Sequence, residues 1–224
     1  MLCCVAEVTL PDSAINCSTR PTSDARFRDQ FDDLGKFSQR AGVVPLVVPV
    51  LWFMCAYPAY VISNAVLTGA AASQALLAVP LWQRTLVRAL VLAAVDVGCD
   101  PMYSALASDD RSDLLPRYWR WRVDNGAWTY LGVPIRNFVT WFAAGLAMFG
   151  LVGLAENAGW VALSSAAARP AISDILVVLS MAANTVYFQA MRGVPLRARL
   201  NVLLSMGLPT ALALRALLRT RRAG

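Results

Sequence analysis

Residues 84–107 read RTLVRALVLAAVDVGCDPMYSALA, and the reading of this segment decides the fold. Apart from two arginines and two aspartates it is apolar. It is also long enough for a membrane-crossing helix, which takes about 20 residues. Asp96 and Asp100 stand four positions apart, and Pro101 follows directly. One helical turn puts both carboxyl groups on one face, their Cβ atoms roughly 5–6 Å apart. Charge inside a membrane segment is costly and marks a functional site by default. Pro101 has no N–H and disfavours regular helix at Asp100, so one carbonyl a turn earlier loses its donor. At bilayer depth that carbonyl must find another donor, so a bend is expected beside the two acids.

The rest of the chain supports a membrane reading. Of its 224 residues, 58% are hydrophobic, and the mean hydropathy is +0.52. Such a chain is too apolar for an ordinary soluble domain. The fold expected is all-α, a polytopic transmembrane helix bundle of about five to six spans. Residues 42–224 form that helical domain, and residues 1–41 form a polar, poorly ordered extension. Met1–Leu10 has no positive stretch before its short apolar run and does not read as a signal peptide. The net charge of +6 is almost wholly arginine, with Lys36 the only lysine. Such charge belongs to the flanks of membrane spans, so the lipid bilayer is the expected partner and nucleic acid is not.

The absence of histidine excludes His-ligated haem, facial-triad iron and Ser-His or Cys-His catalysis. Cys3, Cys4, Cys17, Cys55 and Cys99 form no CxxC pair and read as small hydrophobes. No metal site and no cofactor are expected.

Five spans are predicted, over about 43–63, 84–107, 137–155, 171–191 and 200–218. Residues 64–80 are at the lower limit for a further span, or else the tail of a long helix or a half-span. Gly145, Gly150 and Gly153 give the third span a small-residue face for close packing. Pro209 breaks the last span. Residues 109–136 carry five arginines and four aspartates and form a polar loop. Placing this loop and the 192–199 loop in the cytoplasm puts the arginine-rich tail on the other side, and a re-entrant last segment bent at Pro209 would remove that conflict.

Two carboxyls in an apolar slot do not both ionise easily, since desolvation and mutual repulsion act together. One shared proton or two neutral acids is the expected state. A neutral carboxylic acid facing a hydrophobic substrate is a general acid, and its partner can handle a water. That pairing suits adding water to, or removing it from, an unactivated alkene. The cation formed on the way is stabilised by aromatic faces. Tyr103, Tyr118, Trp119, Trp121, Trp128, Tyr130, Phe138 and Trp141 supply such rings, either lining a substrate groove or forming an interfacial belt. The alternative for Asp96 and Asp100 is a structural hydrogen-bonded pair, or a salt bridge to Arg88 or to an arginine of the 117–122 stretch. Glu156 and Asp174 fall near span ends and read as structural. Arg117, Arg120 and Arg122 read as lipid-phosphate anchors. Asp109-Asp110-Arg111-Ser112-Asp113 reads as a solvated loop.

Asp96-x3-Asp100-Pro101, Trp119-x-Trp121 and Tyr130-x-Gly132-Val133-Pro134-x2-Asn137-Phe138-x2-Trp141 together resemble the carotenoid biosynthesis membrane proteins. That group includes the carotenoid 1,2-hydratases and bisanhydrobacterioruberin hydratase. Gly42-Val43-Val44-Pro45 and Trp52 through Tyr60 resemble the same family, and the likeness covers roughly residues 41–215. It implies a hydro-lyase that adds water across the terminal C1–C2 double bond of an acyclic (ψ) carotenoid end group, giving a tertiary alcohol. It implies Asp96 and Asp100 as the catalytic acid and base, and no redox cofactor. Tyr103, Trp119, Trp121, Tyr130, Pro134, Asn137 and Trp141 would bind the carotenoid substrate, with Asn137 holding the water or hydroxyl. A bacterial cytoplasmic membrane and other carotenoid biosynthesis enzymes are the expected location and partners. Members of the family carry spans ahead of the first one here, so an N-terminally truncated chain is expected. The competing readings are a proton-coupled transporter or lipid-handling membrane protein, and an inactive truncated member. No inverted repeat supports the transporter.

Overall fold

The computed structural model describes residues 40–41, 44–45, 47–107, 128–163, 171–191 and 194–223. Two short hairpins precede helices. Strand β1 (Arg40–Ala41) pairs with β2 (Val44–Pro45), and β3 (Thr129–Tyr130) pairs with β4 (Val133–Pro134). The helices are α1 (Val47–Thr68), α2 (Leu81–Ala107), α3 (Ile135–Asn157), α4 (Ile172–Ala190), α5 (Leu196–Val202) and α6 (Leu208–Ala223). A π segment, Leu203–Gly207, joins α5 to α6. The architecture is all-α.

Three stretches are long and apolar enough to cross a membrane: Ile135–Asn157, Ile172–Ala190 and Leu196–Arg222. Their outward faces are apolar; Leu151 is 69% exposed, Val186 66% and Leu204 67%. A soluble surface does not carry such continuous apolar faces, whereas lipid is their natural solvent. The chain is a membrane protein. Helices α1 and α2, of 22 and 27 residues, also have the length of a span. The charges of α2 point inward, and Arg84, Arg88, Asp96 and Asp100 are all buried.

Helix α2 is the centre of the bundle, touching α1, α3, α5 and the π segment. It runs antiparallel to α3, because Asp96 and Asp100 meet Asn137 while Arg84 and Arg88 meet Glu156. Glycines let the pair approach closely. A Cβ on Gly145 would sit 3.2 Å from the Ala89 backbone, and one on Gly153 would collide with Leu81 Cδ1. Gly150 differs from the expectation, because a Cβ there would meet only Thr85 Cγ2, at 3.9 Å. Trp52 of α1 stacks on Trp141 of α3 at 3.9 Å, and Ala56, Ala59, Leu92 and Phe149 fill the space beside them. A second core joins α1 and α2 to α4, α5 and α6 through Ile62, Val95, Met181, Val202 and Leu217.

The structure decides two points that the sequence left open. Residues 64–80 do not form a span. Helix α1 ends at Thr68, and Gly69 adopts a left-handed φ of 76°. Asn64 Nδ2 then donates to Ala71 O at 2.6 Å, turning the chain back into a short 3-10 segment, Gln74–Ala78. The last segment is not broken at Pro209 either. Pro209 cannot donate to Ser205 O and its ring crowds that carbonyl, and the chain widens into the π segment instead of breaking. The helix then reaches the far end of the bundle, where Thr220 lies against Gly69.

Gly98 marks the tightest approach of α2 to the π segment. A Cβ there would stand 2.7 Å from both Met206 Cγ and Ser205 Oγ. Gly98→Leu is expected to lower stability by about 1–3 kcal/mol through overpacking. Denaturant titration of the detergent-solubilised protein measures this, and a variant as stable as the parent would show that the contact relaxes freely.

Candidate functional site

Side chains four residues apart on α2 form one buried row: Arg84, Arg88, Leu92, Asp96 and Asp100. An i, i+4 ridge of this kind packs into a neighbouring helix. Its upper half is cationic and its lower half acidic, and α3 supplies a partner to each. The two halves are separate sites at opposite ends of the α2–α3 pair.

At the acidic end, Asn137 Nδ2 donates to Asp96 Oδ2 at 2.8 Å and to Asp100 Oδ2 at 2.7 Å. One amide nitrogen thus holds two carboxyl groups at a fixed spacing. Asp96 is 4% exposed, Asp100 5% and Asn137 6%, so water does not screen them. Position 137 is the third residue of α3, so the acids lie at the level of that helix's first turn rather than at its midpoint. Cys55 of α1 and Cys99 of α2 lie within electrostatic range of both acids.

The carbonyl that Pro101 leaves without a donor is that of Val97, four residues back. Asn201 of α5 supplies the missing bond, its Nδ2 donating to Val97 O at 2.6 Å. Asn201 Oδ1 accepts from Tyr130 Oη at 3.0 Å. A single amide therefore repairs the helix beside the acids and ties down the hairpin above them. That hairpin turns through Leu131 and Gly132, both at positive φ (51° and 86°), the backbone of a type I′ turn. Asn201→Leu removes both bonds and is expected to cost about 1–3 kcal/mol, the penalty for orphaning buried polar groups. A melting curve in detergent reads it, and an unchanged midpoint would mean that Val97 O finds water.

The sequence-derived residues are placed as follows. Asp96, Asp100 and Asn137 come together. Tyr130 reaches the same end through Asn201, and its ring meets Phe138 edge-on at 6.2 Å. Pro134 is buried as the residue before α3, where its fixed φ of −58° suits the entry to a helix. Trp141 stacks on Trp52, in the core between α1 and α3. Trp119, Trp121 and the side chain of Tyr103 lie outside the described residues, as do Arg117, Arg120, Arg122 and the 109–113 stretch. Arg88 does not pair with either aspartate.

The cationic end went unrecognised in the sequence. Glu156 is 2% exposed and accepts four bonds. Its Oε1 accepts from Tyr60 Oη and Arg88 Nη2, both at 2.8 Å. Its Oε2 accepts from Arg84 Nη1 at 2.8 Å and Arg88 Nη1 at 3.1 Å. Arg88 Nε donates to Asn64 Oδ1, Arg84 Nη2 donates to Asn157 Oδ1, and the Arg88 guanidinium lies 4.5 Å from the Tyr60 ring centroid. A carboxylate with four donors has no lone pair left for a substrate, so this cluster is a structural lock joining α1, α2 and α3. Asp174 is structural too, its Oδ2 accepting the Ala171 N–H at 3.0 Å at the start of α4. The signal for the lock was present in the four-residue spacing from Arg84 to Asp100. What the sequence could not show was which partner α3 would bring to it.

Among the described residues no group of three or more Cys, Asp or Glu side chains is placed to hold a metal ion. Asp96 and Asp100 are both bound by the Asn137 amide. The family described as carotenoid biosynthesis protein matches residues 33–208. No curated protein and no solved structure matches the chain.

Proposed function

Because the chain belongs to the carotenoid biosynthesis protein family, we propose that it hydrates the terminal C1–C2 double bond of an acyclic carotenoid. The observation carrying this reading is the pair of buried carboxyls held by one amide, Asn137, at the end of an apolar bundle. One acid, protonated, delivers its proton to C2, and the π electrons of the double bond form the new C–H bond. This leaves a tertiary cation at C1. A water attacks C1 through an oxygen lone pair, and the other carboxylate takes the proton that the water gives up. The product is a tertiary alcohol. The pair carries the same number of protons after the reaction as before it, so no cofactor is consumed.

Burial serves this chemistry. A neutral acid survives beside a hydrophobic chain because ionising it there is unfavourable. Excluding bulk water limits the nucleophiles that can reach the cation. Tyr130 and Phe138 present aromatic faces at the same end, which favour positive charge nearby. The test is expression in a lycopene-producing host. Pigment heavier than lycopene by one or two waters is expected, with a new hydroxyl at the ψ end. Unmodified lycopene, with the protein present in the membrane, would overturn the reading.

A further inference from the structure

The family resemblance gives Asn137 the task of holding the water or hydroxyl, but its amide nitrogen is engaged elsewhere. Nδ2 carries two hydrogens, and one goes to each acid, to Asp96 Oδ2 at 2.8 Å and to Asp100 Oδ2 at 2.7 Å. Both donors are spent on the carboxyls. The three side chains are buried, so bulk water does not compete for these oxygens. They also share one frame. Asn137 stands in the first turn of α3, directly after the hairpin that carries Tyr130. Tyr130 Oη donates to Asn201, and Asn201 donates to Val97 O, on the α2 turn between the two acids.

A protonated carboxyl has two unlike oxygens. Its hydroxyl oxygen donates a hydrogen bond, and its carbonyl oxygen is the better acceptor. An N–H aimed at Oδ2 therefore makes Oδ2 the carbonyl oxygen and leaves the proton on Oδ1. The same holds for Asp96 and Asp100, because one nitrogen faces both. An amide nitrogen donates but does not accept, so a proton on one acid does not pass to the other through it. We propose that Asn137 is a positioning residue that fixes the reacting proton on the Oδ1 atoms and keeps acid and base distinct within one turnover. The Oδ1–H bond of the acid breaks as the C–H bond at C2 forms, and its electrons stay on Oδ1. The proton given up by water arrives on Oδ1 of the other acid. The use of these protons rests on the hydratase reading, whereas their placement rests on the hydrogen bonds alone.

The experiment is infrared spectroscopy of the full chain in lipid nanodiscs, compared in light and heavy water. The C=O stretch of a protonated carboxyl shifts on exchange, and an N–H donor on its oxygen lowers the frequency. The parent is expected to show such a band, and the combined Asp96→Asn and Asp100→Asn variant to lack it. Asn137→Leu, similar in size but without donors, should move the band to higher frequency. Asn137→Ser has one hydrogen to give instead of two and should move it the same way, which covers a leucine variant that fails to fold. Assayed on lycopene in the same nanodiscs, Asn137→Leu should lower kcat by about 10²-fold, the cost of misplacing a reacting group, with KM unchanged. A parent without the band overturns the proposal, as does a band that neither substitution moves. Lost hydration with an unmoved band would return Asn137 to the water. A band that moves as expected, in a parent that leaves lycopene unhydrated, supports the proton placement and removes the hydratase reading.

Discussion

Asp96→Asn and Asp100→Asn should each lower hydration of a ψ-ended carotenoid by about 10²–10⁴-fold, the contribution expected of a positioned general acid or base. The substitution is close to isosteric, and the amide oxygen can still accept from Asn137 Nδ2, which now donates to both acids at 2.7–2.8 Å. The fold should therefore persist while the proton inventory fails. With one carboxyl left, the site can hold the proton for C2 or accept the one from water, but the two steps no longer run in a single pass. Because the pair acts as a unit, the double variant should be scarcely worse than either single one. Product quantification by mass spectrometry, at matched protein levels, provides the check. Unchanged conversion by either variant would move the chemistry away from the pair.

Glu156→Ala should destabilise the protein by about 3–5 kcal/mol, the cost of leaving buried charge without its partner. Arg84 and Arg88 are 1% and 0% exposed, and Glu156 binds both at 2.8 Å. Neither guanidinium can give up its charge, so removing the carboxylate strands two cations between helices. Tyr60 Oη loses its acceptor at the same time. The combined replacement Arg84→Met, Arg88→Met and Glu156→Leu should recover most of the loss, because a buried ion network is often replaced by apolar side chains at little cost. Unfolding of the three proteins in mixed micelles compares them. A Glu156→Ala protein as stable as the parent would show that the arginines reach other acceptors, and the lock would then be incidental.

The positions of the spans were largely legible. Apolar length alone located α3, α4 and the Leu196–Arg222 stretch, since a bilayer demands it. That Asp96 and Asp100 share a buried face was also legible, because they stand one helical turn apart. Pro101 announced that a carbonyl would need a donor. That the donor is Asn201 could not be read, as the two positions lie about a hundred residues apart in sequence. Residues 64–80 were apolar enough to suggest a span, and only the hydrogen bond from Asn64 to Ala71 shows the chain folding back. The resemblance implied Trp141 as a substrate ring, and its flat stacking on Trp52 could not be read because it depends on how α1 meets α3.

What the sequence by itself determined is the solvent, the helices and the chemistry available. Hydropathy fixes burial in lipid. A four-residue spacing fixes which side chains of α2 share a face. The lack of histidine removes imidazole as an acid, base or ligand. Only the tertiary structure decided how the row on α2 divides, with Arg84 and Arg88 spent on Glu156 and Asp96 and Asp100 held by Asn137. The physical reason is that helix periodicity is local, while pairing depends on the antiparallel register of α3. That register is set by glycine contacts at Gly145 and Gly153 and by the two polar clusters themselves. Spacing along one helix can say that charges will be buried together, but the neighbouring helix decides which partner each of them meets.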